Sequence, residues 1–301
     1  MELAMIGLGR MGANMAQRLM RGGHKVIGFD PAEAARRLLQ EKGAESAASL
    51  EALVSKLKAP RILWLMVPAG AITDSTITAL TPLLSAGDTL IDGGNSNYRD
   101  TQRRAQAVAQ RKINYVDSGT SGGVWGLAEG YSLMIGGDEA VVEKLRPIFE
   151  ALAPAADKGW GRVGPVGSGH FTKMVHNGIE YGLMQAYAEG FSILQHKSEF
   201  KLDLHQVAEI WRYGSVVRSW LLDLTSNALE KNPTLHGIAP YVVDSGEGRW
   251  TVAEAIDLGV PAMVITASLL ERLRSRDNDS FTDKLLSAMR NQFGGHEIKT
   301  E

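Results

Sequence analysis

Over its first 160 residues the chain alternates apolar runs of strand length with longer helical patterns. This alternation predicts a mainly parallel sheet with helices on both faces, because each crossover between parallel strands requires a long connection. The predicted strands cover residues 2–6, 25–29, 62–66, 89–92 and 115–117, with a sixth at 131–135. The first half of the chain is therefore expected to form a doubly wound α/β domain.

The pattern changes after residue 160, where strand signals almost vanish and the helical patterns become long. Ser168 can begin a helix that continues to about Gln195, which is roughly 40 Å of helix at 1.5 Å per residue. Asp203 indicates another helix start, and Thr251 with Glu254 has the spacing of a capping box. We predict two domains, an α/β domain at 1–165 and an all-α domain at 166–301.

Composition narrows the class of protein. The 32 Lys and Arg residues are balanced by 34 Asp and Glu residues, so no basic field for binding nucleic acid is expected. Cysteine is absent, which excludes disulfides and thiolate sites, and the seven histidines show no metal-ligand spacing. The sequence begins at once with a predicted strand and has no bilayer-spanning apolar stretch, so we expect a cytoplasmic protein without metal or membrane partners.

The segment GLGRMG, residues 7–12, lies between the first predicted strand and a helical pattern. It fits the GxGxxG fingerprint of a Rossmann-type dinucleotide-binding unit. In that fingerprint Gly7 permits a tight turn, Gly9 lets the backbone approach a pyrophosphate, and Gly12 lets the helix pack closely on the strand. The alternative is an ordinary turn between a strand and a helix.

Asp30 ends the second predicted strand, 18 residues after Gly12. This is close to the spacing of a carboxylate that binds the adenosine ribose. Such a carboxylate accepts hydrogen bonds from the ribose hydroxyls of NAD, whereas the 2′-phosphate of NADP would bring a like charge against it. Because Pro31 rather than an arginine follows, we predict a preference for NAD.

Further glycine turns follow the third, fourth and fifth predicted strands, at the edge where open α/β sheets bind ligands. Asn95 and Ser121 stand beside such glycines and can reach a cofactor or substrate, although a glycine after a strand is usually only a turn. The predicted cofactor-binding residues are Gly7, Leu8, Gly9, Arg10, Met11, Gly12, Asp30, Met66, Val67, Pro68 and Asn95.

A polar stripe interrupts the otherwise apolar helical pattern at residues 169–185. Its members fall on one helix face at i, i+3, i+4, i+7 and i+8, and they are Lys173, His176, Asn177, Glu180 and Tyr181. An exposed helix face would be polar too. However, Gly178 and Gly182 each cost about 1 kcal/mol inside a helix, which indicates close packing or close approach of a ligand.

Several long motifs occur in order: GLGRMGAN at 7–14, DGGNS at 92–96, SGG at 121–123, GSGHFTKMVHNGIEYG at 167–182, GEGRWT at 246–251 and RNQFGGH at 290–296. Together they resemble the decarboxylating 6-phosphogluconate dehydrogenases along the whole chain. The length resembles the short form of that family, which lacks a second helical repeat. Asp30 departs from the asparagine-arginine-threonine of NADP-dependent members, which agrees with the predicted preference for NAD.

The resemblance implies oxidation of carbon 3 of 6-phosphogluconate, loss of carbon 1 as carbon dioxide, and formation of ribulose 5-phosphate. In the family pattern Lys173 takes the 3-hydroxyl proton and then stabilises the enolate, while Glu180, about 10 Å along the helix, protonates the enediol. It also implies that Asn95, Ser121, Gly122, Gly123, His176 and Asn177 hold the substrate hydroxyls or carboxylate.

For the substrate phosphate the resemblance implies contacts from Tyr181, Arg272 and Arg290, with His296 nearby. The family's C-terminal tail reaches the site of a neighbouring subunit, so a homodimer or homotetramer is expected. Ser245 and Glu247 depart from the lysine and threonine of long-form members. Two alternatives remain, another β-hydroxyacid dehydrogenase acting on a small 3-hydroxy acid and a non-catalytic NAD-binding sensor.

Overall fold

The structure is a computed structural model and describes residues 1–300. Its first elements alternate strand and helix as the sequence predicts. The strands are β1 Glu2–Ile6, β2 Lys25–Phe29, β3 Glu45–Ser46, β4 Ile62–Leu65, β5 Thr89–Asp92, β6 Asn114–Ser121, β7 Ser132–Gly136 and β8 Trp160–Gly164. The helices up to residue 152 are α1 Arg10–Arg21, α2 Glu33–Gln40, α3 Leu50–Ser55, α4 Ala71–Leu80, α5 Tyr98–Ala109, α6 Gly126–Glu129 and α7 Glu139–Leu152. The later helices are α8 Ser168–His196, α9 Leu204–Arg212, α10 Trp220–Lys231, α11 Glu247–Asp257, α12 Met263–Arg274 and α13 Phe281–Gly294.

All eight strands form one sheet in the order β3-β2-β1-β4-β5-β6-β7-β8. The pairing is parallel except between β6 and β7. The chain builds outward from β1 to β3 and then crosses to β4 on the other side of β1, so the strand order reverses between β1 and β4. Ligands of open α/β sheets bind at the carboxyl ends of the strands at such a reversal. The predicted α/β Rossmann-type fold, followed by helices alone, is confirmed.

The sheet is covered on both faces. Along β1, Leu3 and Met5 belong to one buried apolar cluster, whereas Ala4 and Ile6 belong to a second. Because successive strand residues point to opposite faces, the two clusters lie on the two sides of the sheet. A strand buried on both faces is apolar throughout, which is why these strands appear as continuous apolar runs.

Some predicted boundaries differ from the structure. Strand β6 is longer than the predicted 115–117, and β8 was not predicted because WGRVG contains two glycines and is only partly buried. The capping box at Thr251 is wrong. Helix α11 begins earlier, at Glu247, and Thr251 is buried inside it, where its hydroxyl donates to the Glu247 carbonyl at 2.8 Å. Asp203 does cap α9, accepting from the Gln206 N–H.

The chain separates into two compact units, residues 1–176 and 177–301. The division falls within α8, whereas the domain boundary at 165/166 stays a prediction. Elements of the second unit are all helical over its described residues. No helix within residues 1–300 combines the length and the apolar character needed to cross a membrane.

In the second unit, Asp244 fixes the irregular segment that precedes α11. Its buried carboxylate accepts hydrogen bonds from the Arg249 guanidinium at 3.0 and 3.1 Å and from Arg276 at 2.6 Å. These hydrogen bonds, that of Arg249 foremost, lower the pKa of Asp244 from 3.8 to about 2. The ionised form is therefore the one that stabilises the fold.

We expect Asp244→Asn to lower the free energy of unfolding at pH 7 by about 2 kcal/mol. Because the folded pKa lies below the unfolded one, this stabilisation is complete above about pH 4 and is lost as the pH falls through about 2. Urea unfolding at fixed protein concentration, repeated from pH 7 to pH 3, measures the difference. Asp283→Asn is the control, because its pair with Arg274 is exposed and is expected to contribute less than about 1 kcal/mol. Equal losses for both variants would contradict the assignment.

Candidate functional site

A cleft of about 570 Å³ opens at the strand reversal, at the carboxyl ends of β1, β2, β4 and β5. Eight of the predicted cofactor-binding residues line it, namely Gly7, Gly9, Met11, Asp30, Met66, Val67, Pro68 and Asn95. Gly93 and Gly94 also line it, and they belong to the glycine turn that the sequence predicts after the fourth strand. The sequence reasoning missed the others, which are Ile6, Phe29, Pro31, Ile72 and Thr76. Ile72 and Thr76 stand four residues apart on α4, so one helix face after β4 could have indicated them.

The glycines of the first turn are required by close backbone contacts. Gly7 has a φ of +91°, and a side chain there would overlap the Met66 carbonyl. A side chain at Gly12 would overlap the Gly7 carbonyl, so α1 packs directly on the turn. A side chain at Gly9, in contrast, would meet nothing within 4 Å. Gly9 also caps α1 without a side-chain hydrogen bond, which suits an anionic group at the helix N-terminus.

Three other predicted residues have different positions. Leu8 has its side chain buried against Gly28, and its backbone N–H bonds to Asp30. Arg10 is the exposed first residue of α1. Neither side chain lines the cleft, and nor does Gly12, so these residues shape the turn rather than the cavity wall.

Asp30 is held in place by backbone N–H groups. One carboxylate oxygen accepts from Leu8 N and the other from Ala32 N, both at 2.8 Å. A carboxylate oxygen has two lone-pair sites, so each can still accept a hydrogen bond from a ribose hydroxyl. The negative charge is fixed at the cleft and cannot turn away from a phosphate.

The loop after β5 rests on a buried ionic network that the sequence reasoning missed. Asp92 accepts hydrogen bonds from the Gly94 N–H at 3.1 Å, Ser96 Oγ at 3.1 Å and Tyr115 Oη at 2.9 Å. Arg104 is also buried and donates to Ser96 Oγ at 2.9 Å and to Asp92 at 3.5 Å. Burial and the nearby Asp92 carboxylate raise the pKa of Tyr115 well above its usual value, so its phenol remains a donor. The network fixes the DGGNS segment against the sheet.

Asn95 lines the cleft, but its amide is already engaged. Its Nδ2 donates to the Thr120 carbonyl at 3.3 Å, and its Oδ1 accepts from the Thr120 N–H at 3.0 Å. The backbone at Asn95 has a φ of +51°, a conformation that asparagine tolerates better than most residues. Asn95 therefore joins the loop after β5 to the end of β6. Ser121, the next residue of β6, does not line the cleft.

Ser121 ends β6, and the turn after it is built on a tyrosine ring. Gly122 and Gly123 have φ values of +134° and +52°. A side chain at Gly122 would come within 3.1 Å of the Tyr131 ring, and the ring also lies against Gly126. Burial raises the pKa of Tyr131 to about 12, so the ring is a neutral support. Ser121 and Gly122 are half-buried in this turn, whereas Gly123 is exposed.

Lys173 is buried in the first two turns of α8, with only 5% of its surface exposed. Its Nζ lies 3.2 Å from Nδ1 of His176, one turn later. An amine and an imidazole at hydrogen-bonding distance can hold or pass a proton between them, which acid–base chemistry requires. The structure therefore places these two predicted residues within hydrogen-bonding distance of each other.

In the second unit, Tyr181 is the centre of a compact polar group. The Arg272 guanidinium lies 3.4 Å from the centroid of its ring, and Ser245 N is 3.4 Å from its hydroxyl. The Ser245 hydroxyl donates to the carboxylate of Glu247, so the two residues that depart from the long-form pattern pair with each other. A side chain at Gly248 would overlap the Tyr181 ring.

Close packing explains the two glycines, Gly178 and Gly182, that the sequence analysis noted inside α8. A side chain at Gly178 would come within 2.7 Å of the Thr251 side chain, and one at Gly182 would lie 3.4 Å from Val264.

Asn177 and Glu180 are half-buried on the same helix. Arg290 and His296 are exposed, in and just after α13, a helix with no buried residue among those described.

Comparisons with known proteins assign both halves of the chain. Residues 2–161 match the family described as "NAD binding domain of 6-phosphogluconate dehydrogenase". Residues 169–284 match "6-phosphogluconate dehydrogenase, C-terminal domain". The residues around the cleft fit NAD. Gly9 leaves open space at the N-terminus of α1, and Asp30 directly follows β2.

Individual proteins similar to this chain have names that agree with the family match. A Haloferax volcanii protein, "6-phosphogluconate dehydrogenase, NAD(+)-dependent, decarboxylating", is 44% identical over 299 residues, which are 99% of this chain and 98% of that protein. A Bacillus subtilis protein of the same name is 39% identical over 91% of this chain and 61% of its own length. A solved Plasmodium falciparum 6-phosphogluconate dehydrogenase superposes with a TM-score of 0.84 at 29% identity, covering 100% of this chain and 66% of that one.

We expect Asp30→Asn to reduce the preference for NADH over NADPH at least tenfold, on the order of the 1.4 kcal/mol that a tenfold ratio represents. The substitution removes the charge that opposes a 2′-phosphate, and it also weakens NADH binding because an amide cannot accept from both Leu8 N and Ala32 N. Fluorescence titration with each reduced cofactor measures both dissociation constants.

The matched control is Asp138→Asn, because Asp138 is another carboxylate that accepts from two backbone N–H groups, those of Ala140 and Val141. It should leave the preference unchanged. An unchanged preference in Asp30→Asn itself would show that the Asp30 charge does not select the cofactor.

Proposed function

Because the chain belongs to the 6-phosphogluconate dehydrogenase family, we propose that it oxidises and decarboxylates 6-phosphogluconate with NAD as the oxidant. The products are ribulose 5-phosphate, carbon dioxide and NADH. The single observation that most supports this reaction is the buried Lys173 with its Nζ 3.2 Å from His176 Nδ1. NAD supplies the acceptor for the hydride that leaves carbon 3 of the substrate.

Residues of the cleft hold the cofactor. The turn at Gly7 and Gly9 receives the pyrophosphate at the N-terminus of α1, and Asp30 accepts hydrogen bonds from the adenosine ribose. Asn95 lines the cleft and keeps the loop after β5 bonded to β6.

In the oxidation step Lys173 accepts the proton of the 3-hydroxyl group. Its neutral amine is the base, and His176 Nδ1 is the adjacent group with which it can share the proton. The protonated lysine then donates to the new carbonyl oxygen. When carbon 1 leaves as carbon dioxide, the electron pair of the broken bond forms an enolate, whose oxygen Lys173 protonates.

Glu180 completes the reaction as an acid. It donates a proton to the former carbon 2 of the enediol, while the enediol hydroxyl returns its proton to Lys173, and the ketone product forms. At the end of these steps Lys173 carries one proton more and Glu180 one proton fewer than at the start. The transfer of that proton from Lys173 to Glu180 through solvent restores both groups and balances the cycle. Ser121, Gly122 and Gly123 form the turn that holds the carboxylate and hydroxyls, with Asn177 on the helix.

The phosphate site uses Tyr181 and Arg272. The Arg272 guanidinium lies over the Tyr181 ring and donates to the Val243 carbonyl at 3.1 Å, and a guanidinium held in this way binds phosphate better than a mobile one. Arg290 and His296 add positive charge and hydrogen-bond donors from the neighbouring subunit, which agrees with their exposed positions in this chain.

Exposed apolar faces support an oligomer with a second copy of this chain. On α8, Ile179, Leu183 and Ile193 share one face and are 52%, 47% and 72% exposed, while Tyr181 is buried. On α13, Phe281 and Phe293 are 75% and 92% exposed. Helices whose apolar sides face outward gain stability only when another surface covers them. A dimer or tetramer provides that cover and places each tail near another site.

Lys173→Met is expected to lower the turnover number by a factor of about 10² to 10⁴, the usual contribution of a general base. Glu180→Gln should slow the reaction by a similar factor at the protonation step. Formation of NADH and of carbon dioxide from 6-phosphogluconate is followed in each variant, and NADH binding should be unchanged in both.

Lys144→Met, which changes an exposed lysine on α7, serves as the control for replacing a lysine by methionine. NADH formation without carbon dioxide in the wild-type protein would favour the other β-hydroxyacid dehydrogenases. Full activity of Lys173→Met would remove the proposed base.

The shared site predicts complementation between inactive variants. Mixed dimers of Lys173→Met and Arg290→Ala contain one site with both native residues, so random exchange of subunits should restore about a quarter of wild-type activity. The measurement is the specific activity after the two variants are unfolded together and refolded, compared with each variant refolded alone. Failure to recover activity, with mixed dimers demonstrated by tagged subunits, would place Arg290 in its own subunit's site or outside any site.

A further inference from the structure

Asp117 is a fully buried carboxylate that the proposed chemistry does not use. It lies on β6 and is 0% exposed. One oxygen accepts a hydrogen bond from Gly167 N at 2.7 Å, and the other accepts from His170 N at 2.8 Å. Both N–H groups belong to the start of α8, about 50 residues later in the chain. A residue of the sheet therefore caps the helix that contains Lys173.

Glycines bring the helix start into direct contact with the strands. A side chain at Gly169 would overlap the Met134 carbonyl and come within 2.9 Å of the Asp117 carbonyl. A side chain at Gly119 would come within 2.5 Å of Lys173 Cβ. No side chain other than hydrogen fits at either glycine, so the distance between β6 and α8 is set by backbone contact.

Two successive contacts join β6 to α8, one at Asp117 and one at Gly119. From Asp117 to Gly119 the strand rises by about 6.6 Å and stays on the same face. From His170 to Lys173 the helix rises by about 4.5 Å and nearly completes one turn. The carboxylate meets the helix at His170, and Gly119 meets it at Lys173. The helix thus follows β6 over its first turn and a half.

A second contact fixes the helix against rotation about its axis. The buried His170 has its Nδ1 2.7 Å from Thr101 Oγ1 on α5. Because Lys173 follows His170 by three residues, the two side chains lie on neighbouring parts of the helix surface. Holding His170 between β6 and α5 therefore fixes the direction in which Lys173 leaves the helix.

We propose that Asp117 is the positioning residue for Lys173. This inference rests on the proposed role of Lys173 as the base. The Asp117 carboxylate binds the positive N-terminal end of α8 and holds the helix at the depth and rotation that bring Lys173 Nζ to the substrate. Its effect on catalysis exceeds its effect on stability, because an error of about 1 Å in the position of a reacting group can cost a factor of about 10².

The test compares Asp117→Asn with Asp88→Asn. Asp88 is also fully buried in the same sheet and accepts from Arg61 N at 2.6 Å and Ser85 N at 2.9 Å, but at the amino end of β5. Both variants are expected to lower the melting temperature. Only Asp117→Asn should lower the turnover number, by at least tenfold at 20 °C, with the dissociation constant of NADH changed by less than twofold. The pH profile of turnover should also shift only in that variant, because the surroundings of Lys173 change.

A second pair of variants tests how the position of α8 on β6 affects Lys173, without changing a charge. Gly119→Ala should displace Lys173 and reproduce the loss of turnover, whereas Gly161→Ala on β8 meets open space and should not. If Asp117→Asn fails to fold, this pair still tests whether the contact between β6 and α8 positions Lys173.

The outcomes separate the two proposals. Full activity of Lys173→Met would overturn the proposed function itself. An inactive Lys173→Met, together with an Asp117→Asn or Gly119→Ala variant whose turnover matches that of its control, would overturn only the positioning role.

Discussion

Along the carboxyl edge of the sheet, aspartate carboxylates accept hydrogen bonds from backbone N–H groups of the segments that meet there. Asp30 at the end of β2 holds Leu8 in the glycine turn, Asp92 at the end of β5 holds Gly94, and Asp117 on β6 holds the start of α8. A hydrogen bond to a charged acceptor contributes about 1.5 to 3 kcal/mol, more than one between neutral groups. The cleft wall at Asp30, the loop with Asn95 and the helix with Lys173 all depend on this kind of contact.

Most of the fold could be predicted from the sequence, because strands buried on both faces and helices with strong periodicity leave clear patterns. Five strands and the long helix at Ser168 appear where they were expected. Strand β8 could not be predicted from the sequence. Its backbone pairs with β7, and that pairing does not require apolar side chains at Gly161 and Gly164. Thr251 was misread for a similar reason. A threonine, two residues and a glutamate form a capping box only at a helix start, and here Gly246 caps the helix earlier.

The candidate site was less predictable than the fold. Short motifs indicated Gly7, Asp30 and Lys173, because each belongs to a local spacing. The partners that hold these residues come from distant parts of the chain and follow no local pattern. Arg104 reaches Asp92 from α5, and Asp117 reaches α8 across 50 residues. Asn95 was expected to bind ligands, and the sequence gives no sign that its amide is bonded to Thr120.

The two hydrogen bonds at Asp30 have an evolutionary consequence. A residue that only selects the cofactor could be exchanged in one mutation, and the protein would move freely between NAD and NADP. Here the same carboxylate also anchors the glycine turn through Leu8 N and the start of the next segment through Ala32 N. A substitution of Asp30 that removes the charge facing a 2′-phosphate would therefore also remove a support of the glycine turn. A change of cofactor by mutation would need a second substitution that supports the turn in another way.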